Sequence, residues 1–291
     1  MNRVKLSIII LNYNSSADCQ KCVATLKRQR GVELDIIIVD NCSREDDRSA
    51  LIRLCEEQNC TFIPADANRG YNAGNNIGLR YAASKGYEYA LIANPDMEFP
   101  DDEYVSRLAK ELIEHPETIA VGSDIITPEG VHQNPMGAEG AWTAQFRWIT
   151  DIFRRSKHQD AYNFVDDFMT NHRCAKLSGC ALMVNLCHLA QIGFFDEYPF
   201  LYCEEAIFAK QAEKAGLDMR YIADVQAIHR HIPSTKGDPR PRFRHWRRSR
   251  LYFIRHYSGY PWYGRLLAAL SWSIYIEAVI ICVSFNTKRW K

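Results

Sequence analysis

Four short apolar runs, each closed by a polar tip, constrain this chain more than any other feature. They are "KLSIIILN" (5–12), "LDIIIVDN" (34–41), "CTFIPA" (60–65) and "YEYALIANPD" (87–96). Runs that are β-branched and apolar at nearly every position suit parallel strands buried on both faces. Between the first two, "ADCQKCVATLKRQ" spaces Cys22, Val23, Leu26 and Gln29 helically; later, the glycine-rich "NRGYNAGNNIGLRYAASKG" opens a helix that Gly86 ends. Strands alternating with helices imply βαβ units. The expected class is α/β, with one Rossmann-like, mostly parallel sheet flanked by helices and ligands at the strands' C-terminal ends.

The polar tips therefore carry the functional expectation. They are Asn12 and Asn14, then Asp40 and Asn41, then Asn68 and Arg69, then Asn94 and Asp96. An acid on the proline-stiffened turn Asn94-Pro95-Asp96 can reach a divalent cation bridging two phosphates, since Mg²⁺ and Mn²⁺ prefer hard oxygen ligands. Its plainer reading is an Asx-type turn capping a strand. Asp40 is either a strand-end turn residue or a hydrogen-bonding partner for a ribose or base. "RGYNAGNN" has neither Rossmann nor Walker spacing, although its small residues let backbone approach a nucleotide closely.

Two further elements bear on chemistry. In "FLYCEEAIFAKQAEKAG" (200–216), Glu204 and Glu205 begin a helical pattern that Gly216 stops. Acids in a first turn stabilise a helix by about 0.3–1 kcal/mol; a partly buried one can equally serve as a general base. His229 ends the strand-like run "VQAI", 24 residues beyond Glu205. A lone histidine there is either a satisfied core residue or a ligand; one helix and one strand return it to the sheet edge of the diacid.

Composition narrows the classes. The 291 residues are 47% hydrophobic and 24% charged with net charge +1, as in an ordinary globular protein, so no whole-molecule attraction to nucleic acid is expected. "MNRVKLSIIILNYN" lacks a small-residue cleavage site and reads as a first strand, not a signal peptide. The ten cysteines are then expected to stay reduced in a cytoplasm. Cys19 and Cys22 have no second pair or histidine at zinc spacing, which does not support a metal or redox role. In the middle, "VGSDIITPEGVHQNP" suggests a strand and turn, "AWTAQFRWITDIFRRSKH" (141–158) a lid or acceptor-facing segment, and "CAKLSGCALMVNLCHLAQIGFFDEYPF" a strand, short helix and loop.

Seven stretches in order, "SIIILNYNS", "IIIVDNCS", "NRGYNAGNNIGLRYA", "LIANPDME", "LSGCALMV", "GFFDEYPFLYCEEAIFAKQAEKAG" and "AIHRHIPST", resemble glycosyltransferase family 2 over about residues 4–237. The similarity is greatest to a rhamnosyltransferase-like branch that assembles bacterial surface polysaccharide such as O-antigen or capsule. The resemblance implies a GT-A fold, a nucleotide-diphosphate sugar donor, Mn²⁺ or Mg²⁺, and inversion at the anomeric carbon. It also implies that Asn12, Asn14, Asp40 and Asn75 line the nucleotide pocket, with Asn41, Asn68, Arg69, Gly74 and Asn94 beside them. By the same resemblance Asp96 stands for the metal-binding acid, His229 completes the metal shell, and Glu205, next to Glu204, is the catalytic base. Two departures stand out: the pair is usually Glu-Asp, and Ile207 occupies a position that is often acidic. Rhamnose is the first expectation for the donor sugar, from deoxythymidine-diphosphate rhamnose; uridine-diphosphate galactose, glucose or N-acetylhexosamine is the second. The acceptor expected is a glycan or a polyprenyl-diphosphate-linked sugar. A sugar nucleotidyltransferase is disfavoured because "LNYNSSADC" is not rich in glycine and lysine, and a non-enzymatic adaptor leaves the strand-tip acids without a role.

The domains expected are a catalytic one over 1–238 and a basic, aromatic-rich helical extension over 239–291. No Asp or Glu occurs from Pro239 to Ile276, while Arg240, Arg242, Arg244, Arg247, Arg248, Arg250, Arg255 and Arg265 all do. Arginines among Trp and Tyr suit an anionic bilayer surface, and Leu266–Phe285 is an apolar run broken by Ser271, Ser273 and Glu277. An amphipathic helix lying on the inner face of the cell membrane is expected, with a core-packed or homodimer-forming helix and a true span as alternatives.

Overall fold

A computed structural model describes residues 4–149, 167–231 and 238–285. The first apolar runs pair as expected. β1 (Val4–Asn12), β2 (Val32–Asp40), β3 (Thr61–Pro64) and β4 (Tyr89–Ala93) are parallel neighbours in the order β3-β2-β1-β4. Their register places Asn12 opposite Asp40 and Asp40 opposite Pro64, so the polar tips come into line at one sheet edge. The connecting helices are α1 (Ser16–Leu26), α2 (Glu45–Gln58) and α3 (Tyr71–Ser84). Cys19 and Cys22 are free, buried core residues of α1.

The second half is mixed. After β5 (Met97–Glu98) and α4 (Tyr104–Glu114) come β6 (Thr118–Ile126), a 3₁₀ turn (Trp142–Phe146), β7 (His172–Cys174), β8 (Ala181–Asn185) and α5 (Leu186–Gln191). Then follow α6 (Glu204–Lys214), β9 (Asp218–His229), α7 (Arg240–His256) and α8 (Trp262–Phe285). The sheet continues as β4-β8-β6-β9-β5, with β7 also on β9. β8 is antiparallel to both β4 and β6, and β5 and β7 are antiparallel to β9. Parallel order thus holds for β1 to β4; β8 arrives after a long excursion, and antiparallel entry is open to it. Residues 150–158 of the segment expected as a lid, and residues 232–235 of "AIHRHIPST", lie outside the described residues.

Two features fix the geometry near the strand tips. Gly74 and Gly78 let α3 lie against β1: an added Cβ would fall 2.5 Å from Leu11 Cδ1 and 2.5 Å from Ile9 Cγ2. Gly70, at φ +102°, enters α3 where its backbone meets that of Phe200; a Cβ there would lie 2.3 Å from Phe200 O, which accepts from Tyr71 N. Farther along, α7 and α8 pack on α6 through one apolar cluster that joins Ala206 and Ile207 to Phe253, Ile254 and Ala268. The described part of the 141–158 segment joins them, Trp148 Nε1 donating to Ser271 Oγ and Ser271 Oγ to Gln145 O.

Gly70→Ala is expected to lower unfolding free energy by about 1–3 kcal/mol from backbone conformation alone, with more from the collision. Chemical denaturation followed by circular dichroism reads the shift; an unchanged midpoint would contradict the close approach.

Candidate active site

The antiparallel pairing of β5 with β9 sets Met97 opposite His229 and so brings Asp96 against the end of β9. Asp96 Oδ1 lies 3.4 Å from His229 Nε2, and Asp96 Oδ2 lies 3.3 Å from His231 Nδ1. Ligand atoms of the three residues all lie within 4.8 Å of one another. Both Asp96 Oδ1 and His229 Nε2 are buried without a hydrogen-bond partner in the structure, which is how ligands facing a common cation would stand. His229 Nδ1 is 2.7 Å from Gln133 Oε1; donating there leaves Nε2 free to coordinate. Burial opposes charge on Asp96, yet the contacts and charges of His229 and His231 hold its carboxyl well below the usual range. Burial likewise lowers His229, but Asp96 and Cys180 outweigh it and push the imidazole up to about 10. The site thus favours positive charge beside Asp96. One carboxylate and two imidazoles within this distance form a donor set that could hold a divalent cation.

The diacid stands at the start of α6. Tyr202 and Cys203 just before it take left-handed φ values of 74° and 66°, which turn the chain into the helix. Glu204 and Glu205 border a small cavity shared with Tyr71, Asn72 and Gly179. Tyr71 links this cavity to the Asn-Pro-Asp turn, donating to Asn94 Oδ1 at 2.9 Å and lying 2.8 Å from Gly179 O. Cys180 O accepts from Asn94 N at 2.8 Å. Diacid and cation cluster are therefore flanks of one short backbone stretch, Gly179–Cys180. Burial first, then the charge of Glu205, pushes the Glu204 carboxyl up to about 8; its Oε1 is buried and unpartnered. Burial and the neighbouring carboxylate thus disfavour charge on Glu204.

The other sequence-derived residues divide by their bonds. Asn12 is fully buried; its amide donates to Asp47 Oδ2 at 2.7 Å and Ser43 Oγ at 3.2 Å, tying the β1 tip to α2. Asp40 accepts from Arg48 Nε at 2.8 Å and from Ser43 N. Asn14, at φ 55°, accepts from Arg44 N. Asn41 donates to Asn68 Oδ1, which also takes Gly70 N. Arg69 is exposed. Gly74 lies under Leu11, where its absent side chain serves packing against β1. Asn75 is fully buried with Oδ1 unpartnered. The strand-tip set is thus grouped at one edge, with most of its polar atoms engaged in holding the loops.

Sequence reasoning passed over His231, Gln133 and Tyr71. His231 had a signal, since residues two apart on an extended chain share a side. Gln133 and Tyr71 had none, because their roles depend on the β6 turn and on the approach of residues 179–180.

The family profile described as "Glycosyl transferase family 2" matches residues 7–174. The low-salt glycan biosynthesis hexosyltransferase Agl10 of Haloferax volcanii is 28% identical over 230 residues, which is 77% of this chain and 66% of that relative's own length. The N-acetylglucosaminyl-diphospho-decaprenol L-rhamnosyltransferase of Mycobacterium tuberculosis is 23% identical over 247 residues, 80% of this chain and 78% of that protein. Among solved structures, the mannosyltransferase PcManGT from Pyrobaculum calidifontis, in complex with GDP-Man and Mn²⁺, superposes with a TM-score of 0.58 at 16% identity, covering 98% of this chain and 76% of its own. The last is a likeness of fold, and the fold is GT-A-like.

A carboxyl whose pKa is raised on folding stabilises the protein fully below its unfolded pKa and loses that contribution as pH climbs through the folded value. Glu204→Gln is therefore expected to melt higher than the parent at pH 8 and to lose most of that advantage at pH 4. Differential scanning calorimetry across this range checks it; a gap independent of pH would refute the raised pKa of Glu204.

Proposed function

The chain belongs to glycosyl transferase family 2, and from that premise we propose that it transfers a hexosyl or deoxyhexosyl unit, with inversion, from a nucleoside-diphosphate donor to a glycan hydroxyl. One observation carries the reading: the unpartnered Asp96 Oδ1 and His229 Nε2 face each other beside the diacid, joined to it through Tyr71 and Gly179.

Asp96, His229 and His231 would hold Mn²⁺ or Mg²⁺, which when bound neutralises charge on the departing nucleoside diphosphate. Gln133, accepting from His229 Nδ1, would leave Nε2 free to hold such a cation. Glu205 accepts the proton of the attacking acceptor hydroxyl, an effect commonly worth about 10²–10⁴ in rate. Burial at Glu204 disfavours a second negative charge in the site. Attack on the face opposite the leaving group inverts the anomeric centre. The strand-tip residues Asn12, Asn14, Asp40, Asn41, Asn68, Arg69, Gly74, Asn75 and Asn94 frame the nucleotide side, several by shaping loops and not by direct contact.

Rhamnose is the donor sugar favoured, since a curated relative is a rhamnosyltransferase acting on a decaprenol-diphosphate-linked sugar. A plain hexose is the second reading, favoured by the hexosyltransferase of higher identity. A lipid-linked acceptor would place the enzyme at the cytoplasmic face of a membrane.

Two measurements test the proposal. Glu205→Gln should lower transfer at least about a hundredfold while donor binding survives; near-normal turnover would remove Glu205 from its role. Nucleotide sugars screened with Mn²⁺ should stabilise the folded chain by about 2.7 kcal/mol at a hundredfold excess over Kd for the true donor. Asp96→Ala should abolish the Mn²⁺-dependent part of that shift. Equal stabilisation with and without metal would sink the cation site.

A further inference from the structure

α8 is apolar on two opposite faces. Its inner face packs on the protein: Ala268 and Ile276 are fully buried, Ser271 is held by Gln145 and Trp148, and Trp272 meets Trp246 of α7 at 5.0 Å between ring centroids. Its outer face is open, with Trp262 73%, Leu266 64%, Leu270 56%, Ile274 52% and Ile281 53% exposed. These recur at helical spacing on one side. Monomeric soluble proteins rarely leave so much apolar surface uncovered on one side of a helix; within that side only Glu277, paired with Arg247 of α7, is charged among the described residues.

Length and composition alone would allow Trp262–Ser284, with mean hydropathy 2.1, to cross a bilayer. Its attachments oppose that. α8 lies along α7 from the Phe253–Ala268 cluster to the Arg247–Glu277 ion pair at 2.7 Å, and α7 is dense in arginine. Carrying α7 into hydrocarbon would be prohibitive, and separating the helices would expose buried Trp, Phe and Ile. Arg244, Arg248 and Arg255 fall on one exposed side of α7, and neither they nor Arg265 form an ion pair with any described residue. A second copy bringing the same arginines would meet like charge. An anionic bilayer surface meets both the stripe and the cations, and Trp262 and Tyr263 at the head of α8 are residue types that settle at its interface.

We propose that the outer face of α8 is a docking face for an anionic bilayer surface, with α8 lying in the interface plane and the arginines of α7 supplying the electrostatic part. Because Ala206 and Ile207 of α6 pack directly on this hairpin, docking holds Glu204 and Glu205 at a set height above the lipid. With helices about 8–10 Å apart between axes, that height is about 15–20 Å. This last step alone rests on the proposed transfer reaction.

The test is vesicle flotation of the full chain, which needs no sugar and so is independent of the transfer chemistry. The parent chain should float with vesicles containing phosphatidylglycerol at least about tenfold more than with phosphatidylcholine alone. The double variant Leu270→Glu/Ile274→Glu should lose at least about tenfold of that partitioning with an unchanged circular dichroism spectrum; Leu270→Ala/Ile274→Ala serves if the glutamates unfold the chain. Arg244→Ala/Arg255→Ala should erase the preference for phosphatidylglycerol and leave the weaker apolar binding. A parent chain that stays in solution with both vesicles overturns the proposal. So does a double variant that floats like the parent, or one whose sole effect by light scattering is to split a dimer.

Discussion

Two residues of strand hold the candidate site together. Met97 and Glu98 pair antiparallel with His229 and Ile228, and that short ladder is what sets Asp96 beside His229 and His231. Arg230 N donates to Asp96 O and Arg230 Nε pairs with Glu98 at 2.7 Å, so the intervening residue points away and closes the ladder from outside. The alternation of side chains along an extended chain then turns both histidines to the aspartate. A slip of one residue would send both to the opposite side and put Arg230 in their place.

The diacid depends on a different support. Residues 194–203 lie between α3 and α7 and are fastened from both. Asn72 and Asn76 of α3 donate to Asp196 O and Phe195 O. From α7, Ser249 Oγ donates to Leu201 O, Tyr252 and Tyr257 donate to Asp196 Oδ2, and His245 stacks on Phe200. Left-handed backbone at Tyr202 and Cys203 costs about 1–3 kcal/mol per residue and persists only where neighbours over-determine it. Arg250 of α7 completes the hold, sharing Glu139 with Lys176 in a largely buried ion triad. The C-terminal hairpin is thus part of what aims Glu204 and Glu205.

Much of this was legible in the chain. The β-branched runs with helical intervals announced a sheet with polar tips at one edge, and "CEEAIFAKQAEKAG" showed its helix, start and stop. Antiparallel β8 was illegible, since a short apolar run carries no sign of its partner's direction. So was the division of labour among the strand-tip residues: an asparagine that holds a loop and one that holds a ligand look alike until Asp47 is seen taking the Asn12 amide. The apolar run near the C-terminus suggested an amphipathic helix. The structure shows apolar surface on both sides of α8, one covered by protein and one open.

That doubled surface makes the order of events during synthesis consequential. An apolar helix of this length is a substrate for membrane insertion until its inner side is occupied. If α7 folds back onto α8 first, the arginines anchor it outside the hydrocarbon; if lipid is met first, the same sequence has a competing destination. The Trp246–Trp272 and Arg247–Glu277 contacts are what hold α7 against the inner side of α8.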